Sequence, residues 1–77
     1  MKYNVGEQLF LDDNILYTVQ DSLSYEGKNY YFLTYEEDDR EKFLILKEGT
    51  DDTLVNLDSD DEFDNLFFLF GKKNSNN

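Results

Sequence analysis

Along most of this chain, hydrophobic and polar positions alternate with the period of a strand; near the C-terminus they switch once, to the period of a helix. Gln8-Leu9-Phe10-Leu11 is a short first candidate strand. From Ile15 to Gln20, Ile15, Tyr17 and Val19 fall on one face and Leu16, Thr18 and Gln20 on the other; the pattern can continue through Leu23 and Tyr25. Tyr30 to Tyr35 is aromatic and β-prone on both faces. Phe43-Leu44-Ile45-Leu46, bracketed by Lys42 and Lys47, is a continuous apolar run and predicts a strand covered on both sides. Thr53 to Leu57 completes the set. The separators are Asp12-Asp13-Asn14, Glu26-Gly27-Lys28-Asn29, a charged loop from Glu36 to Arg40, and Glu48-Gly49-Thr50-Asp51-Asp52. Gly27 can take the positive φ of a tight hairpin. Such short connections predict antiparallel neighbours in chain order.

The helical segment is the most strongly signalled. Ser59 is an N-cap candidate and Glu62, three residues on, completes an S-x-x-E capping box. Asp60, Asp61 and Glu62 fill the first turn, where the helix dipole favours negative charge. Phe63, Leu66, Phe67 and Phe70 make one apolar stripe, and Gly71 fits the C′ position with Lys72 and Lys73 at the negative end. The helix is expected from about Asp60 to Phe70, its stripe on the sheet. Phe68 lies on the opposite side; it is expected to be partly covered by a curved sheet, the alternative being an anchor for a partner or a second copy.

These elements predict a single α+β domain over residues 1–71: a small curved antiparallel β-meander of four or five strands, open or partly closed into a barrel, with one C-terminal α-helix. Residues 72–77 have nothing to bury and are expected to be a disordered tail. A chain of 77 residues buries only about 60% of its unfolded surface. Its seven Phe and six Tyr supply the dense core that this demands.

Composition removes several functions. There is no Cys, hence no disulfide framework, thiol nucleophile or thiolate metal site, which fits a cytoplasmic protein. There is no His, the usual general base and commonest zinc ligand. The N-terminus lacks the apolar stretch of a signal peptide, and the longest apolar run, Leu66 to Phe70, is far below the roughly 20 residues that span a bilayer. Asp58 to Asp64 resembles a calcium loop, but Phe63 stands where an EF-hand needs Gly and Leu69 where it needs Glu; no metal and no cofactor are expected. Phosphate-loop, dinucleotide and serine-nucleophile motifs are absent, and no catalytic residue is assigned, so the chain is read as a non-enzyme. Tyr30, Tyr31, Phe32 and Tyr35 could build a base-stacking platform, but they run into Glu36-Glu37-Asp38-Asp39, the wrong charge for direct nucleic-acid binding.

The net charge is −11, and residues 36–64 carry −10 of it, with thirteen acidic against three basic residues. Such a surface repels nucleic acid and anionic lipid and attracts basic protein. The helix-start acids have a structural explanation in capping; Glu36 to Glu41 has none beyond solubility. The expected function is a non-enzymatic binding protein that docks on a basic, nucleic-acid-binding partner and inhibits it by imitating nucleic-acid charge. The candidate partner-binding residues are Glu36, Glu37, Asp38, Asp39 and Glu41, extended by Asp58, Asp60, Asp61 and Asp64, with Tyr35 and Phe68 as apolar anchors. The alternative is a housekeeping or structural module whose acid serves solubility and whose apolar surface makes a homodimer.

Leu23-Ser24-Tyr25-Glu26-Gly27-Lys28-Asn29-Tyr30-Tyr31-Phe32-Leu33, the acidic loop, Glu41 to Lys47 and Asp60-Asp61-Glu62-Phe63 occur in an order that resembles a family of short, very acidic proteins of Gram-positive bacteria whose function is unknown. The resemblance covers roughly residues 15–70. It implies a Tyr-Glu-Gly-Lys-x-Tyr hairpin followed by an acidic loop, an apolar strand and an acidic helix start, and brings no catalytic residues. The opening Val5-Gly6-Glu7-Gln8-Leu9-Phe10 departs from that pattern and is similar to small barrel domains. In size and composition the chain is also similar in kind to phage-encoded inhibitors of host DNA-binding or defence proteins, including DNA mimics and anti-CRISPR proteins.

Overall fold

The computed structural model describes residues 3–74. Five strands, β1 (Gln8–Phe10), β2 (Leu16–Tyr25), β3 (Lys28–Glu37), β4 (Arg40–Glu48) and β5 (Leu54–Asn56), form one antiparallel sheet in the order of the chain. A short 3₁₀ turn (Thr50–Asp52) links β4 to β5, and the helix α1 (Asp60–Asn74) follows. The sheet curls into a half-barrel, and the fold is α+β.

The curl gives the sheet two apolar faces. Tyr17, Val19, Tyr31, Leu33 and Leu46 are buried on the inner one, with Leu9 and Leu54 closing in from the two edge strands. Tyr30 and Ile45 point the other way and are covered by Leu66 and Phe70 of α1. Alternation along β3 and β4 therefore feeds two cores, which is why Tyr30 to Leu33 and Ile45 to Leu46 read as apolar on both faces.

A β-bulge in β2 decides which residues meet the helix. The ladder runs Val19↔Leu33 and then Asp21↔Phe32, leaving Gln20 as the extra residue. One added residue exchanges the faces of everything beyond it. Tyr17 and Val19 thus enter the inner core, whereas Leu23 and Tyr25 pack with the helix, although strict alternation places all four on one side. The same bulge turns Asp21 toward the end of α1, where it accepts hydrogen bonds from Lys73 Nζ (2.8 Å) and Asn74 Nδ2 (2.7 Å).

Three expectations are corrected. The segment from Glu36 to Arg40 is not a loop: β3 runs to Glu37, β4 starts at Arg40, and only Asp38 and Asp39 turn, at φ 56° and 62°. The helix does not end at Gly71: Gly71 to Asn74 are helical, and the Lys73 and Asn74 contacts to Asp21 (Lys73 Nζ also reaches the Ser22 carbonyl) supply the ordering that a free tail would lack. Of the expected tail 72–77, residues 75–77 lie outside the described residues. The apolar stripe is also rotated: Leu66 and Phe70 are buried and Leu69 half-buried, while Phe67 and Phe68 are 49% and 64% exposed. Phe68 is not covered by the sheet.

Candidate functional site: the acidic hairpin end and its aromatic flank

Two groups of carboxylates differ in what touches them. In one group they complete the fold. The buried phenols of Tyr17, Tyr30 and Tyr31 donate to Asp13 (2.6 Å), Glu62 (2.9 Å) and Glu48 (3.1 Å). Burial, reinforced by those acceptors, pushes the Tyr17 and Tyr30 phenols up to about 12. The Tyr17 hydroxyl holds the Asp13 carboxyl below its ordinary range.

Glu62 works hardest. Its Oε1 accepts the Asp58 N–H at 2.6 Å, and its own N–H donates to Ser59 Oγ at 3.1 Å. The capping box therefore forms with its return bond one residue upstream of the N-cap N–H. Lys47, buried on β4, places Nζ 2.6 Å from Asp58 and 3.2 Å from Glu62. The Asp58 N–H bond, with help from Tyr30 and Lys47, keeps the Glu62 carboxyl below its ordinary range against the opposing effect of burial. At the other end of α1, burial raises the Asp21 carboxyl, but hydrogen bonds from Lys73 and Asn74 outweigh it and hold the group low. Among the described residues, every buried side-chain nitrogen or oxygen has a partner.

The second group sits at the end of the β3–β4 hairpin and on the outer face of α1. Glu36, Glu37, Asp38, Asp39 and Glu41 are all exposed. Glu37 pairs with Lys42 at 2.9 Å; among the described residues no cation lies within ion-pairing distance of Glu36, Asp38, Asp39 or Glu41. Asp60, Asp61 and Asp64 are likewise exposed and unpaired among the described residues. Asp58 is exposed too, but its carboxylate is engaged by Lys47.

Phenylalanines join the two acidic stretches. Phe43 stacks on Phe32 (centroids 5.0 Å apart) and on Phe67 (5.5 Å), and Phe67 stacks on Phe63 (5.8 Å). Phe43 is 41% exposed, so the ring row opens to solvent. Glu41 precedes Phe43 by two residues and so shares its face of β4. The predicted anchors fare differently. Phe68 stands free on the helix, whereas Tyr35 turns inward against Tyr17 (4.9 Å) and belongs to the core. The sequence does not single out Phe43 and Phe67 as part of the site, since their stacking joins β4 to α1.

Residues 12–72 match the model of a family described as a protein of unknown function (DUF1292). The chain belongs to that family. The DUF1292 match takes in β2 to β5, the acidic hairpin and nearly all of α1, and it starts after β1, where the sequence resemblance also fails. Comparison with curated proteins and with solved structures gives no match. Among the described residues of this DUF1292 protein, no helix is long and apolar enough to cross a membrane, and no group of three or more acidic side chains is placed to hold a metal ion.

Proposed function

We propose that this protein is a non-enzymatic binding protein that docks the end of its β3–β4 hairpin on a basic partner protein in the bacterial cytoplasm. The partner's basic groove is one that otherwise holds nucleic acid, and the acidic chain blocks it, as an inhibitor carried by a phage or mobile element would. The helix-start acids Asp60, Asp61 and Asp64 extend the contact.

One observation carries this reading. The hairpin end violates two local rules at once. Glu36 stands directly opposite Glu41 in the ladder, and like charges facing each other destabilise a strand pair. Asp38 and Asp39 both occupy left-handed backbone, and Asp39 stands at the second position, where two-residue turns favour Gly after Asn or Asp. The other long hairpin of the same sheet has the favoured glycine at its second turn position, Gly27 at φ 78°, after Glu26 at φ 51°. Solubility asks only for charge on the surface, not for charge where it works against the fold, and local rules are most often broken at functional sites. A second reading, a solubilised module that forms a homodimer, draws on the exposed Phe67, Phe68 and Phe10.

Reversal of Glu36, Glu37, Asp38 and Asp39 to Lys separates the two. Wild-type protein immobilised on beads should retain a basic nucleic-acid-binding protein from bacterial lysate, lose it between about 50 and 200 mM salt, and lose it to added duplex DNA. The reversed chain should retain none. Equal capture by both chains, or capture indifferent to salt and DNA, would sink the docking reading.

A further inference from the structure

We infer that the groove between the C-terminal half of α1 and the β2–β3–β4 sheet is an arginine-binding seat for an extended or helical segment of a basic partner. The inference rests on the docking reading above and names the chemistry of what docks. The groove has a volume of about 490 Å³ and is lined by Phe32, Thr34, Glu41, Phe67, Phe70 and Gly71, among others. Among the described residues, no lysine or arginine lines it.

Gly71 is the feature that capping does not explain. It lies inside α1, not at its end, and its φ is not in the left-handed region. Glycine weakens a helix interior, and a Cβ built here would meet nothing within 4 Å. The missing side chain therefore leaves open space beside Phe67, and Gly71 lines both the groove and the hollow between Phe67 and Phe68.

The walls specify the occupant. Phe67, 49% exposed, is the open aromatic wall of the groove, and Phe32 and Phe70 line its floor. A guanidinium is planar and weakly hydrated, so it lies against an apolar wall while forming paired hydrogen bonds with a carboxylate; an ammonium does neither as well. Glu41 supplies the carboxylate at the rim, with Glu36 opposite it in the ladder. A second copy of this chain is the wrong occupant, because it would bring two unpaired Glu36–Glu41 rims against each other on molecules of net charge −11.

The test uses the full chain and three short fluorescein-labelled peptides that alternate leucine with arginine, with lysine or with glutamate, read by fluorescence anisotropy at low salt. The arginine peptide should bind wild type about fivefold or more tighter than the lysine peptide, and the glutamate peptide should not bind. Gly71→Leu should weaken the arginine peptide about tenfold while raising helix stability, which separates a filled groove from a broken fold. Phe67→Ala should bring the arginine peptide down to the level of the lysine peptide. Glu36→Lys with Glu41→Lys should abolish binding of both. Equal arginine and lysine affinities, untouched by Gly71→Leu and Phe67→Ala but lost on charge reversal, would overturn the groove and leave charge docking standing. No binding of either basic peptide to wild type would overturn both readings. Self-association of wild type in sedimentation, abolished by Phe67→Ala, would assign the groove to a second copy and overturn the arginine seat.

Discussion

Glu36 and Glu41 face each other across the β3–β4 ladder, one rung inside the Glu37↔Arg40 pair that closes the hairpin. Both side chains are exposed and neither has a cation beside it among the described residues. Replacement of one by a cation turns a repulsive rung into an attractive one. Glu41→Lys should therefore raise stability by roughly 0.2–1 kcal/mol, read as a higher urea midpoint at constant slope. The same change should weaken partner binding. A midpoint that stays put or falls would remove the argument that this rung works against the fold.

The turn itself offers an independent check. Asp38 and Asp39 adopt φ 56° and 62°, and a non-glycine residue in this region is held at some energetic cost. Asp38→Asn combined with Asp39→Gly keeps the two-residue turn and gives it the side chains that such turns favour. The expected gain is about 1 kcal/mol, or roughly 4–8 °C in melting temperature for a domain of this size. An unchanged or lowered melting temperature would mean that the Asp-Asp turn carries no strain to relieve.

Acid should expose the role of Glu62. Its carboxyl is held below the ordinary value of 4.5, first by the Asp58 N–H and then by Tyr30 and Lys47. A carboxylate with a depressed folded-state pKa stabilises the fold above its unfolded pKa and loses that contribution as pH falls through the folded value. Wild type should thus exceed Glu62→Gln in stability at neutral pH, with the gap closing below about pH 4.5. Chemical denaturation of both proteins across that range measures it directly. A gap that is constant with pH would show that the charged form of Glu62 contributes nothing.

The α+β class, the chain-order meander, the Gly27 hairpin and the Ser59–Glu62 helix start were all legible, because each is written in residues close in sequence. What was hidden depends on contacts between distant ones. The bulge at Gln20 carries no Gly, and only the pairing of Asp21 with Phe32 shows why Leu23 and Tyr25 leave the inner core. The Asp38-Asp39 turn looked like a loop because it too lacks glycine. Gly71 looked like a helix stop because glycine is common there; Lys73 and Asn74 reach back to Asp21, from 52 and 53 residues away, and hold the helix on. Of the candidate site, the hairpin carboxylates could be singled out from charge alone. The phenylalanine row could not, since it needs Phe43 of β4 and Phe67 of α1 side by side.

The rotated helix face makes the last prediction. Leu66 is 1% exposed and packs with Tyr30, Ile45 and Phe70, whereas Phe68, two residues on, is 64% exposed. Leu66→Ala removes buried methyl groups and leaves a cavity, a loss of about 2–5 kcal/mol. That is a large share of the roughly 5–15 kcal/mol that holds a small domain together, so the variant should be partly unfolded at ambient temperature or melt far below wild type. Phe68→Ala removes the larger side chain, yet should change stability by no more than about 0.5 kcal/mol. Size alone predicts the reverse order. Equal losses at the two positions would mean that α1 lies on the sheet by a different face, and with that the exposed flank of Phe67, Phe68 and Gly71 would no longer be available to a partner.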